Sequence, residues 1–74
     1  MSLPVLICDD SALARKSIAR SLPKDWDISI TFAENGELGI EAIRQGKGDI
    51  VFLDLNIWLN DLNNCIFELN ILLL

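Results

Sequence analysis

Asp9, Asp10 and Asp54 are the residues of this chain best placed to do chemistry. Asp9 and Asp10 follow the apolar run Pro4-Val5-Leu6-Ile7-Cys8, and Asp54 follows Asp49-Ile50-Val51-Phe52-Leu53. Each run reads as a short buried strand. If the two strands are parallel neighbours, all three carboxylates arrive at the carboxyl edge of one sheet. Open α/β sheets hold their ligands there. Carboxylates gathered at one point repel one another unless a cation sits among them. Mg²⁺ suits such a place, because it takes oxygen ligands and uses one or two carboxylates together with waters and phosphate. The pattern predicts a metal site, and a site of this kind implies phosphate chemistry. Asp9-Asp10 alone would fit a turn before a helix just as well, since the helix dipole favours acids there. It is the matching strand end at Asp54 that points to chemistry.

The elements that must position these acids are legible in the first 53 residues. Val5 to Cys8 is continuously apolar, as in a strand covered on both faces. Ser11 is a suitable N-cap for a helix running to about Leu22. Ala14, Ile18 and Leu22 form its buried stripe, with Arg15, Lys16 and Arg20 lying off it toward water. Pro23 and Lys24-Asp25 break the helix. Ile28, Ile30 and Phe32 alternate with Ser29 and Thr31, which predicts an edge strand with one solvated face. Asn35-Gly36 punctuates, and a second helix covers roughly Glu37 to Gln45, closed by Gly46 and Gly48. Gly36, Gly39 and Gly46 match no phosphate-loop spacing and mark helix ends. Ile50 to Leu53 is the third strand. The β-α-β-α-β order implies parallel pairing with right-handed crossovers. The first strand should be central, giving spatial order 2-1-3. The fold class is α/β, a partial flavodoxin-like doubly wound sheet.

Seventy-four residues allow one small domain, and hydrophobic content of 51% argues against disorder. A net charge of −5 argues against nucleic acid or an anionic membrane as partner. There is no histidine to serve as base or phosphocarrier. Cys8 and Cys65 fit neither a disulfide framework nor zinc spacing, which favours a reducing, cytoplasmic setting. The N-terminus lacks the basic and apolar regions of a signal peptide, and the apolar C-terminus is too short to span a bilayer.

Residues 4 to 56 resemble the receiver domain of two-component response regulators. The matching pieces are Val5-Leu-Ile-Cys-Asp9-Asp10-Ser-Ala, Ala33-Glu-Asn35-Gly36-Glu, and Asp49-Ile-Val-Phe-Leu-Asp54-Leu-Asn56. The resemblance implies that Asp54 accepts phosphate from a histidine kinase or phosphotransfer protein. It implies that Asp10 binds Mg²⁺ directly with Asp9 nearby, and that the backbone carbonyl of Asn56 completes the protein's share of the coordination. A receiver takes part in its own phosphorylation, so the expectation is that the chain is not an enzyme. A phosphatase of the haloacid-dehalogenase type would need Asp-x-Asp, and Asp54-Leu55-Asn56 does not supply it.

The resemblance ends at Asn56, which divides the chain into a receiver-like segment, 1–56, and an apolar tail, 57–74. The hydroxyl residue and the lysine that the family carries further along have no counterpart, and Lys16, Lys24 and Lys47 match neither role. The expectation is a truncated receiver with impaired phosphorylation. The tail has no Gly, Pro, Lys or Arg. Trp58, Leu62, Cys65, Leu69 and Leu72 recur at helical spacing, which favours a helix. A hairpin in which the third strand extends to Leu59 is the other reading. The alternative function is an interaction module, a homodimer or larger assembly formed through residues 57–74 and an exposed sheet edge.

Overall fold

In a computed structural model, which describes residues 2–57 and 59, the chain forms a three-stranded parallel sheet flanked by two helices. The strands are β1 (Leu3–Cys8), β2 (Ile28–Ala33) and β3 (Ile50–Leu53), in the order β2-β1-β3. β1 is central because it is the most continuously apolar. Val5, Leu6, Ile7 and Cys8 are all at most 1% exposed. It pairs with Ile28 to Ala33 on one side and with Ile50 to Leu53 on the other. The predicted fold class and strand order hold.

The helices are α1 (Ala12–Ser21) and α2 (Gly36–Arg44). Ser11 caps α1, its hydroxyl accepting from the Ala14 N–H at 3.2 Å. Leu22 ends it in extended backbone, as the residue before a proline must. Asn35 caps α2, accepting from the Leu38 N–H at 2.8 Å, and Gly46 follows its end at φ 79°. Ser11→Ala should therefore cost about 1 kcal/mol. In a domain of this size that lowers the thermal midpoint by about 4–8 °C in a circular-dichroism melt, whereas Ser11→Thr should leave it nearly unchanged.

The two faces of the sheet are covered unequally. On the α2 side, Leu6, Cys8, Ala33, Val51 and Leu53 pack with Ala42 of the helix, and Ile40 and Ile43 close over them. On the α1 side, Val5 and Ile7 are buried, but Ile30 and Phe32 remain 38% and 49% exposed. The stripe expected to be buried on α1 is only half-buried at Ala14, Ile18 and Leu22, and no residue of α1 is fully buried. One ten-residue helix is too narrow to cover the apolar lanes of β1 and β2 together.

After Leu53 the chain turns at once into a short helical segment, α3 (Leu55–Ile57), and Ile57 joins the core on the α2 side. A hairpin with β3 extended to Leu59 is thereby overturned: helical backbone at residues 55–57 cannot continue the ladder. The tail helix and the self-association expected through residues 57–74 lie outside the described residues, apart from Ile57 and Leu59. No helix among the described residues is long and apolar enough to cross a membrane.

Candidate functional site

The parallel register brings the ends of β1 and β3 level, Cys8 facing Leu53. The next residue on each strand is the acid. Two backbone hydrogen bonds extend the ladder past the last paired residues. The Asp9 N–H donates to the Ala33 carbonyl at 3.0 Å, and the Asp54 N–H donates to the Cys8 carbonyl at 3.1 Å. Asp9 and Asp54 thus leave the sheet from fixed backbone, half-buried, while Asp10 stands exposed. One carboxylate oxygen from each of the three lies within 4.8 Å of the others.

Local bonds aim these side chains. Asp9 Oδ1 accepts from the Ser11 N–H at 2.9 Å, folding the turn that leads into the capped start of α1. Asp54 Oδ1 accepts from the Asn56 N–H at 3.4 Å across the turn into α3. Each carboxylate keeps lone pairs beyond these bonds. Asn56 therefore sits two residues past Asp54, exposed, on the first turn of α3.

Arg15 was expected to face water and does not. Its Nη1 reaches back over the first turn of α1 and donates to the Asp9 backbone carbonyl at 2.7 Å. The long side chain of a half-buried arginine can lie along the helix and deliver its charge a full turn away. The i to i+6 spacing from Asp9 matches no helical contact, so periodicity could not have signalled it. Lys47 lies at the other pole, in the connection that leads into β3, with its N–H bonded to the Ala42 carbonyl at 2.9 Å.

The donor set fits a hard divalent cation. Oxygens bound across an Mg²⁺ ion stand about 4.2 Å apart, and across Ca²⁺ about 4.6–5.2 Å. Only one pair of three ligands can stand across the ion, and neighbouring ligands of octahedral Mg²⁺ lie about 3 Å apart. A cluster within 4.8 Å is near enough to draw together around such an ion, with waters filling the remaining positions. All three carboxylates offer oxygen only, which excludes a preference for the softer metals that select thiolate.

Comparison with known proteins gives a consistent set of relatives. The chain is 44% identical over 54 residues to protein-glutamate methylesterase/protein-glutamine glutaminase 1 of Oleidesulfovibrio alaskensis, a match covering 72% of this chain and 15% of that protein. It is 41% identical over 54 residues to protein-glutamate methylesterase/protein-glutamine glutaminase 2 of Nitratidesulfovibrio vulgaris, with the same coverage. It is 46% identical over 55 residues to the protein of the same name in Methanosarcina mazei, covering 73% of this chain and 15% of the relative. The chain thus spans about 15% of the length of the curated relatives it matches. No family model and no solved structure matches the chain.

These relatives correct one expectation. The receiver resemblance implies that the chain is not an enzyme, whereas the proteins it matches are named as enzymes. The resemblance behind that expectation concerns the matched segment alone, about 15% of each relative's length. A segment that matches 15% of a protein carries no residue pattern for a reaction named for the whole.

Proposed function

Since the chain belongs, through its N-terminal 54 or so residues, to the receiver-domain family of two-component response regulators, we propose that it is a phosphoacceptor module modified at Asp54. The observation that carries this reading is the convergence of Asp9, Asp10 and Asp54 at the sheet edge. The phosphoryl donor is a histidine kinase or phosphotransfer protein. A carboxylate oxygen of Asp54 attacks the phosphorus in line with the donor's imidazole nitrogen. A P–O bond forms as the P–N bond breaks, and the nitrogen keeps the bonding pair and is protonated. The product is an acyl phosphate on Asp54.

The remaining residues do electrostatic and positioning tasks. Asp9 and Asp10 would hold Mg²⁺ beside Asp54, with the Asn56 backbone carbonyl completing the protein's share. Bound there, the ion would supply positive charge to offset the negative charge of the Asp54 carboxylate and an incoming phosphoryl group. The Arg15 bond to the Asp9 carbonyl keeps the β1 end from yielding to repulsion among the acids. Residues 1–56 form the receiver segment in this reading, with 57–74 a separate tail. The phosphorylated segment would then govern an activity of the kind named for its relatives, protein-glutamate methylesterase/protein-glutamine glutaminase.

The test is intact-mass spectrometry of the 74-residue chain after exposure to a small phosphodonor. One added phosphoryl group is expected, dependent on Mg²⁺ and removed by a chelator before reaction. Amide shifts at Asp9, Asp10 and Asp54 on Mg²⁺ titration give a separate readout, with weak binding expected at about millimolar concentrations for a shallow, water-rich site. No shift and no labelling would sink the proposal.

A further inference from the structure

The outer edge of β2 is built to pair. The Leu3 N–H bonds the Asp27 carbonyl at 2.9 Å, and the Asp9 N–H bonds the Ala33 carbonyl at 3.0 Å. Odd-numbered positions along β2 therefore turn their backbone toward β1. Alternation turns the N–H and C=O groups of Ile28, Ile30 and Phe32 the other way, off the sheet. Among the described residues no strand pairs with that edge. Edge strands are ordinarily shielded by lysine, proline or a bulge. Ile-Ser-Ile-Thr-Phe-Ala contains neither lysine nor proline, and its register with β1 is unbroken. Beside the edge, Ile30 and Phe32 are 38% and 49% exposed.

We infer that β2 pairs antiparallel with β2 of a second copy of this chain, Ile30 facing Ile30 across a two-fold axis. In that register Ile28 faces Phe32 of the other copy, and every outward backbone group of the strand gains a partner. The apolar side chains meet on the α1 side of the sheet, and the Ser29 hydroxyl faces that of Thr31 on the other side. Other registers are worse. A slip of one residue sets Ile30 against a hydroxyl side chain. A slip of two one way sets Ile28 against Glu34. The other way runs the ladder into the turn where the Trp26 N–H is already bonded to the Pro23 carbonyl at 3.3 Å.

Charge selects the antiparallel sense. Arg20 and Lys24 line the groove beside Ile28 at the amino end of β2. Glu34, exposed, lies at the carboxyl end. Antiparallel pairing carries Glu34 of each copy toward the other's Arg20 and Lys24, whereas parallel pairing sets each against its own kind. Asp27 faces Ala33 in this register and Asp25 lies in the turn beyond the ladder, so no like charges stand directly opposite. A contact of this length is at the small end of stable interfaces, so the expected dissociation constant is about 10 μM or weaker.

The test uses the full chain in a Cys65→Ser background. Light scattering and sedimentation over a concentration series should show a dimer. Ile30→Lys, which puts two like charges on the axis, should raise the dissociation constant by on the order of 100-fold. Under mild oxidation, a mixture of Ser29→Cys and Thr31→Cys chains should form a disulfide-linked heterodimer. Neither variant alone should cross-link with itself to a comparable extent. The cross-linking arm is conservative and decides the matter where Ile30→Lys fails to fold. A chain monomeric at millimolar concentration overturns the inference. So does an assembly that survives Ile30→Lys and yields no mixed disulfide, which would place the contact in another part of the chain.

Discussion

Asp54→Asn should abolish phosphoryl labelling while leaving the chain folded. The carboxamide has nearly the same shape as the carboxylate, and its oxygen can still accept from the Asn56 N–H now bonded to Oδ1 at 3.4 Å. The backbone bond from residue 54 to the Cys8 carbonyl is untouched. An amide oxygen is a far weaker nucleophile than a carboxylate, and no acyl phosphate can form from it under these conditions. Intact-mass spectrometry should show no added phosphoryl group, and circular dichroism should match the parent chain. Asp10→Asn tests a different contribution. It leaves the nucleophile in place and removes one charge from the cation's donor set, so labelling should persist at a lower rate and need more Mg²⁺. Equal labelling of Asp54→Asn and parent would put the acceptor on another residue and remove the basis of the proposed function.

The strand order and the meeting of the acids were legible because buried apolar strands linked by helices leave few topologies. Once Val5–Cys8 is central, the carboxyl ends of β1 and β3 must lie side by side, and the acids that follow them meet. Coverage was less legible. Alternation told which face Ile30 and Phe32 share, but whether α1 reaches over them depends on the lateral position of the helix, which periodicity does not encode. Arg15 was invisible for a related reason. A flexible side chain can join backbone a turn away, and its spacing from Asp9 belongs to no regular contact. The enzymatic naming of the relatives lay outside any reading of these residues, because the acidic cluster is complete without it. Gly39 was read as helix punctuation beside Gly36 and Gly46. It sits instead in mid-helix and is buried, which calls for a packing reason.

That reason is Cys8. A Cβ placed on Gly39 would lie 2.9 Å from the Cys8 sulfur, closer than real side chains approach, with the Ala33 Cβ at 4.0 Å behind it. Glycine in a helix interior costs about 0.8–1.0 kcal/mol relative to alanine, so the position sacrifices propensity to admit the thiol. Gly39→Ala should therefore destabilise the chain, by about 1–3 kcal/mol as overpacking does, despite the better helix former. A domain of this size has about 4–11 kcal/mol of stability in all, so the loss is visible in a urea titration. Cys8→Ala removes the sulfur and should reverse the sign. In that background Gly39→Ala becomes neutral or stabilising, a coupling of roughly 1–3 kcal/mol in a double-mutant cycle. The Asn35 carbonyl that accepts from the thiol at 3.4 Å retains the Gly39 N–H at 3.0 Å, so the cycle leaves no orphaned acceptor. Function should follow packing. Cys8 precedes Asp9, and its carbonyl anchors the Asp54 N–H at 3.1 Å. Pushing the sulfur aside moves the backbone that sets both acids, so Gly39→Ala should also weaken Mg²⁺ binding, with recovery in the double variant. Additive losses across the cycle would show that the cost of alanine at position 39 arises from neighbours other than the sulfur and that the sulfur contact has no bearing on the site.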